Sequence, residues 1–213
     1  MKRVKGIGGF SHEPHYEGET NDWITPKYII DAFGVGWFDL DPCASVTQPW
    51  SCARKAYTVE QDGLAHDWFG NVWCNPPYGP NTDKWVRRLA EYGEGVALIF
   101  ARTETKLWQD EIFTTADGFL FVKGRLKFHR PDGSLGVGGN AGAPSCLIAW
   151  GQKNRDRLIE MCDEGSIKGA FLDRAFYTGS NHSGVGVAQG SLFTPANNAC
   201  TGRGLRPVRL GYF

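Results

Sequence analysis

The stretch Val72-Trp73-Cys74-Asn75-Pro76-Pro77-Tyr78-Gly79 decides how the rest of the chain is organised. Val72-Trp73-Cys74 is a short apolar run. It stops on Asn75 and two prolines, which lack the N–H groups that a strand ladder needs. A strand therefore feeds a stiff loop. Residues 82–92 follow with Trp85, Val86 and Leu89 at helical spacing and Gly93 beyond them, so the loop is set between a strand and a helix.

The same alternation extends in both directions. Upstream, Thr25 as N-cap, Pro26 at the first helical position, then Ile29, Ile30 and Phe33 before Gly34 predict a short amphipathic helix. Residues 37–41 predict a strand ended by Pro42, and residues 56–59 another before a turn at Asp62-Gly63. Downstream, residues 96–100 are continuously apolar, the mark of a strand buried on both faces. A helix is predicted over 105–113, strands over 119–122 and 126–128, a turn at 131–134, a glycine-rich loop over 136–143, a strand over 146–150 and a helix over 154–163. The expected architecture is α/β, a doubly wound and mostly parallel sheet with helices on both faces, whose ligands bind beyond the carboxyl ends of the strands. Residues 1–20 predict a flexible arm, 21–174 the catalytic domain, and 175–213 a Gly/Ser/Asn-rich extension.

Composition fits one globular domain: 213 residues, eight tryptophans and thirteen phenylalanines can build a substantial core. The basic start MKRVKGIGGF is followed by no apolar signal-peptide core, and no span reaches membrane length, so a cytoplasmic protein is expected. Six cysteines without a CxxC pair or Cys/His metal spacing argue for reduced packing residues, and no metal is expected. A formal net charge of zero counts against a protein that holds nucleic acid by bulk electrostatics. Local patches must serve instead, and two exist: Lys123, Arg125, Lys127, His129 and Arg130, and Arg203, Arg206 and Arg209. Each patch alone fits a solvated surface as well as a nucleic-acid contact.

The tetrapeptide Asn75-Pro76-Pro77-Tyr78 suits one kind of chemistry. The N6 amine of adenine is a poor nucleophile because its lone pair is delocalised into the ring. The Asn75 side-chain oxygen and the Pro76 carbonyl, held rigid by the prolines, supply two fixed acceptors for its N–H bonds as the nitrogen becomes tetrahedral. Tyr78 offers a ring on which a flipped base can stack. Alone, the same four residues also fit a structural turn.

Six segments in order resemble the phage-type DNA N6-adenine methyltransferase family, a Dam-like group of the S-adenosylmethionine-dependent methyltransferases. They are Asp22-Trp23-Ile24-Thr25-Pro26, Phe38-Asp39-Leu40-Asp41-Pro42, Asp62-Gly63-Leu64, Val72 to Gly79 as VWCNPPYG, Ala101-Arg102-Thr103-Glu104-Thr105, and Lys123 to Phe128 as KGRLKF. The resemblance implies a Rossmann-like sheet, S-adenosylmethionine as cofactor, double-stranded DNA as partner with no obligate protein partner, and a phage or prophage origin in a bacterial host cell. It places Thr25 and Pro26 at the methionine part of the cofactor. Asp41, with Asp39 as second choice, takes its amino group beside Pro42, and Asp62 lies near its adenine. Arg102, Lys123, Arg125 and Lys127 fall on the substrate side, although Arg102 also fits a structural ion pair, and each aspartate also fits a cap or turn. One departure stands out: the loop Pro42-Cys43-Ala44-Ser45 lacks the glycine that many methyltransferases carry after the first strand.

Two other readings share these residues. The loop also fits methylation of adenine in RNA or of a glutamine amide in a protein, since both present a planar nitrogen. A nucleic-acid-binding module that kept the fold and lost turnover fits as well.

Overall fold

The computed structural model describes residues 23–135 and 141–176. The proposed arm over 1–20, nearly all of the extension over 175–213, the Arg203/Arg206/Arg209 patch and most of the glycine-rich loop lie outside those residues. The elements are α1 (Lys27–Phe33), β1 (Leu40–Asp41), β2 (Lys55–Ala56), β3 (Val72–Cys74), α2 (Thr82–Tyr92), β4 (Gly95–Phe100), a π-helical segment (Leu107–Ile112) running into α3 (Phe113–Thr115), β5 (Gly118–Val122), β6 (Ser145–Trp150), α4 (Gln152–Asp163) and β7 (Gly169–Asp173).

The seven strands form one sheet in the order β2-β1-β3-β4-β6-β5-β7. β2, β1, β3 and β4 are mutually parallel, whereas β6 is antiparallel to β4 and β5, and β7 is antiparallel to β5. The sheet is thus mixed, which corrects the expectation of a mostly parallel one. The cause lies in the connection from β5 to β6. Parallel neighbours need a long crossover, usually helical. Residues 123–144 contain no helix among the described residues, so β6 returns antiparallel between β4 and β5. The strand expected over 126–128 is absent too: the Leu126 carbonyl accepts from the Ala141 N–H at 2.7 Å, and isolated bridges to Ile24 and Leu135 follow at His129. β7 was not foreseen. It is an edge strand whose residues are only partly buried.

Helices cover both faces, as expected. On one, Trp85, Val86 and Leu89 of α2 and Leu107, Trp108 and Ile112 of the π-helical segment pack on Val72, Cys74, Ala97, Ile99 and Ile148. On the other, Ile29 and Phe33 of α1 and Leu158 and Met161 of α4 pack on Trp73, Val96, Leu98, Leu120 and Leu147. The alternation of these two sets along β3 and β4 is the period of two that buries a strand on both sides. Under the opposite edge of the sheet, Asn154 joins α4 to the strands: its amide donates to Asn71 Oδ1 at 2.8 Å and to the Trp150 carbonyl at 3.0 Å.

Strand sense positions the site. β5 runs in the same direction as β1, β3 and β4, because two antiparallel pairings separate it from β4. The chain therefore leaves β1 at Pro42, β3 at Asn75, β4 at Ala101 and β5 at Lys123, all on one edge. The order β2-β1-β3 reverses the winding between β1 and β3, and open α/β sheets bind ligands beyond the strand ends at such a reversal. Among the described residues, no helix is long and apolar enough to cross a membrane.

Candidate active site

At this reversal lies a cavity of about 530 Å3, within the range of small-molecule pockets, roughly 300 to 1,000 Å3. The last residue of β1 and the loop after it, from Asp41 to Val46, form one wall, and Trp73, Asn75, Pro76 and Pro77 form another. Trp23, Ile24 and Thr25 close one side and Thr58, Val59, Asp62 and Gly63 another. Four of the six segments singled out in the sequence thus meet around one volume.

Asn75 is held from outside its own loop. Its amide nitrogen donates to the Trp23 carbonyl at 2.7 Å. A carbonyl can only accept, so the amide must turn its NH2 group to Trp23, and this fixes where Oδ1 sits. That oxygen is buried and has no partner. The second half of the loop is clamped by Thr82, at the start of α2. Its hydroxyl donates to the Pro77 carbonyl at 2.8 Å and accepts from the Gly79 N–H at 3.1 Å, spanning Tyr78.

Tyr78 is half-buried rather than open, and the cavity lining stops short of it. Its ring stacks on Phe100 with centroids 4.4 Å apart and meets the edge of Phe128 at 6.0 Å. Burial pushes its phenol pKa up, and its hydroxyl has no partner. Only the ring of Tyr78 is therefore engaged.

The cofactor-side residues divide. Thr25 and Pro26 are buried, and Thr25 lines the cavity while its carbonyl accepts from the Trp50 indole at 3.1 Å. Pro26, not Thr25, occupies the N-cap position of α1. Asp41 is 3% exposed, lines the cavity, and accepts from the Cys43 N–H at 3.2 Å. Asp39 points to other partners: it accepts from the Asn71 N–H at 2.9 Å, pairs with Arg54 at 3.4 Å, and is not part of the lining. Pro42 lines the cavity beside Asp41. Asp62 also lines it, but is exposed, adopts φ +51°, and accepts from the Leu64 N–H at 3.3 Å, the geometry of a turn residue.

The absent glycine after β1 is answered by tertiary structure. Gly63 is buried against that loop, and a Cβ on it would sit 1.9 Å from the Pro42 carbonyl oxygen. Close approach is thus provided by Gly63 rather than by the loop itself. Three more features escaped the sequence reading: the Thr82 clamp, and the Trp73 indole N–H and Ser45 hydroxyl, both enclosed without partners on residues of the lining. With Asn75 Oδ1, three residues of the lining thus carry an unpartnered polar atom. Buried polar groups are normally satisfied, so this lining fits a ligand rich in donors and acceptors.

The residues expected on the substrate side lie in segments that leave the sheet at the same edge. Arg102 is half-buried just beyond β4, and its guanidinium makes no ion pair among the described residues. Lys123, Arg125 and Lys127 are exposed, while Leu126 and Phe128 between them are buried. This segment is tied to the loop through two contacts: Phe128 touches Tyr78, and His129 pairs with Ile24, next to the carbonyl that holds Asn75.

No curated protein and no solved structure matches the chain. A family model does, over residues 13–164, which span more than half the chain and every segment that builds the cavity. That model is described as DNA N-6-adenine-methyltransferase (Dam), and the chain belongs to this family.

Proposed function

We propose that this protein transfers a methyl group from S-adenosylmethionine to N6 of a flipped-out adenine in double-stranded DNA. The observation that carries the reading is the Asn75 side chain, whose unpartnered Oδ1 is fixed at the edge of a ligand-sized cavity at the winding reversal. The cofactor supplies, when bound, an activated methyl on a sulfonium. Asp41, buried at the end of β1, is the residue for its ammonium, since Asp39 is taken up by Asn71 and Arg54. Asp62 and the neighbouring Gly63 border the part of the cavity for its adenine. The sheet, with its parallel half and helices on two faces, is the Rossmann-like frame for this site.

On the substrate side, Asn75 Oδ1 and the Pro76 carbonyl accept from the two N–H bonds of N6. Both bonds strengthen as the nitrogen gains tetrahedral character and positive charge, so the pair favours the transition state over the ground state. When the new N–C bond has formed, the nitrogen releases one proton to solvent. Tyr78, backed by Phe100, is the stacking platform for the extruded base, and such stacking is worth about 1 to 3 kcal/mol. Lys123, Arg125, Lys127 and Arg102 neutralise phosphates around it, which gives a neutral chain a local hold on DNA. The resemblance to phage-type enzymes, rather than the site, motivates the further reading of a phage or prophage gene product working in the cytoplasm of a bacterial host cell without an obligate protein partner.

The test is methyl transfer from labelled S-adenosylmethionine to duplex DNA, single-stranded RNA and a release-factor-like protein, with the product identified by mass spectrometry. N6-methyladenine in DNA, formed also with EDTA present, is expected. Transfer only to RNA or protein, or cofactor binding without transfer to any of the three, would overturn the reading.

A further inference from the structure

Among the described residues, the Asn75 side chain is held by one hydrogen bond, and the group that receives it sits on a short strap made of Trp23, Ile24 and Thr25. The three carbonyls of this strap each accept from a different part of the chain. Trp23 accepts from Asn75 at 2.7 Å, Ile24 from the His129 N–H at 3.1 Å, and Thr25 from the Trp50 indole N–H at 3.1 Å. The Ile24 N–H donates back to the His129 carbonyl at 2.9 Å. Peptide units are rigid and only two soft dihedrals separate one from the next, so what grips Ile24 and Thr25 also sets where the Trp23 carbonyl lies. Trp50 touches both grips. Its N–H holds Thr25, and its ring meets that of His129 edge-on, with centroids 5.0 Å apart at 87°. It is half-buried and belongs to the loop after β1, which borders the cavity through Ser45, Val46 and Gln48.

We infer that Trp50 is a positioning residue for methyl transfer: through the strap it sets the Trp23 carbonyl and thereby the orientation of the Asn75 amide. The inference rests on the role proposed for Asn75 and adds to it a residue outside the catalytic loop and outside the six segments of the family resemblance. Geometry separates this role from plain packing. A hydrogen bond from an indole N–H fixes a direction as well as a distance, and an apolar contact fixes neither so sharply. The requirement at the other end is strict, because a misplacement of about 1 Å in a reacting constellation can cost on the order of a hundredfold in rate. A small slackening of the strap is therefore enough to be read in turnover.

A double-mutant cycle tests this. Trp50→Phe keeps a ring beside His129 and removes the N–H. Single-turnover methylation of duplex DNA, at saturating DNA and cofactor, should slow about fivefold or more, the rate factor equivalent to one neutral hydrogen bond. In an Asn75→Ala background the same change should alter the rate by less than about twofold, because the group that Trp50 positions is gone. His129→Ala removes the edge contact with Trp50 and leaves both backbone bonds to Ile24. It should show the same dependence on Asn75, and it reads the inference independently where Trp50→Phe does not fold. A merely structural role gives another pattern. Equal slowing in both backgrounds, or a lower melting temperature with an unchanged rate, overturns the inference alone. Asn75→Ala as fast as the wild type, or no transfer to DNA by the wild type, overturns it together with the role proposed for Asn75.

Discussion

Replacing Asn75 by alanine removes two atoms with separate surroundings, a donor that holds the loop and the unpartnered acceptor to which the proposed function gives the reaction. The donor is the amide nitrogen, 2.7 Å from the Trp23 carbonyl. Its loss costs about 1 kcal/mol of stability, the usual net worth of one hydrogen bond, which in a chain of this length lowers Tm by about 2 to 4 °C. The acceptor is Oδ1, which has no partner among the described residues, so its removal takes no stabilising bond from the fold. Its loss appears in turnover, by about a hundredfold or more, or ~2.7 kcal/mol of transition-state stabilisation. Asn75→Asp divides the two effects. It retains an acceptor but sets a carboxylate oxygen against the Trp23 carbonyl, so its Tm should fall at least as far as that of Asn75→Ala while its rate falls less. Single-turnover methylation at saturating DNA and cofactor, with thermal melting of each variant, measures both. A rate for Asn75→Ala within about fivefold of wild type would refute the reasoning, as would folded Asp and Ala variants that are equally slow.

Three further outcomes are expected. Thr82→Val, which keeps the shape and loses both bonds around Tyr78, should slow methylation about tenfold with unchanged cofactor affinity, each bond being worth roughly 1 kcal/mol; if Thr82→Ser is as slow as Thr82→Val, the hydroxyl is not the cause. Gly63→Ala forces a Cβ to within 1.9 Å of the Pro42 carbonyl oxygen, so calorimetry should find cofactor binding at least tenfold weaker, in line with about 1 to 3 kcal/mol for an overpacked contact. Undiminished affinity there would show that the loop after β1 is not held by this contact. Arg125→Glu with Lys127→Glu changes two exposed side chains on a segment anchored by buried Leu126 and Phe128. It should weaken DNA binding and flatten the log-log salt dependence by about 0.9 per lost phosphate contact, and an unaltered slope assigns these cations to the solvated surface.

Where local pattern and packing agree, the sequence was a sufficient guide to the fold. β3 and α2 have the expected bounds, and β4, β6 and α4 begin one or two residues early, because continuous apolar runs and a helical stripe leave few other ways to bury these residues. The antiparallel half was not legible. Pairing direction is set by what connects two strands, and the segment from Lys123 to Phe128, with Leu126 and Phe128 inward and Arg125 and Lys127 outward, imitates the alternation of a strand. Past Lys123 its backbone makes a single bond among the described residues, from the Ala141 N–H to the Leu126 carbonyl, so it stays a connection outside the sheet, and β6 enters in reverse.

The site was legible where one residue type has one chemical use, and obscure where the use depends on something distant in the chain. Asn75 between an apolar run and two prolines marks, from sequence alone, a stiff loop that fits either a turn or a fixed acceptor. What aims it is the Trp23 carbonyl, a group that every residue possesses and no motif can mark. The same holds for the loop after β1. Looking for glycine within Pro42-Cys43-Ala44-Ser45 finds none, because the requirement is for space beside the Pro42 carbonyl and Gly63 meets it from elsewhere in the chain. Trp73 makes the same point from the other side. In the sequence it is one more apolar residue of a buried strand, and its ring does pack on Phe33 and Phe38 as a core residue should. That its indole N–H is left without a partner is a property of the assembled fold, which no local pattern reports.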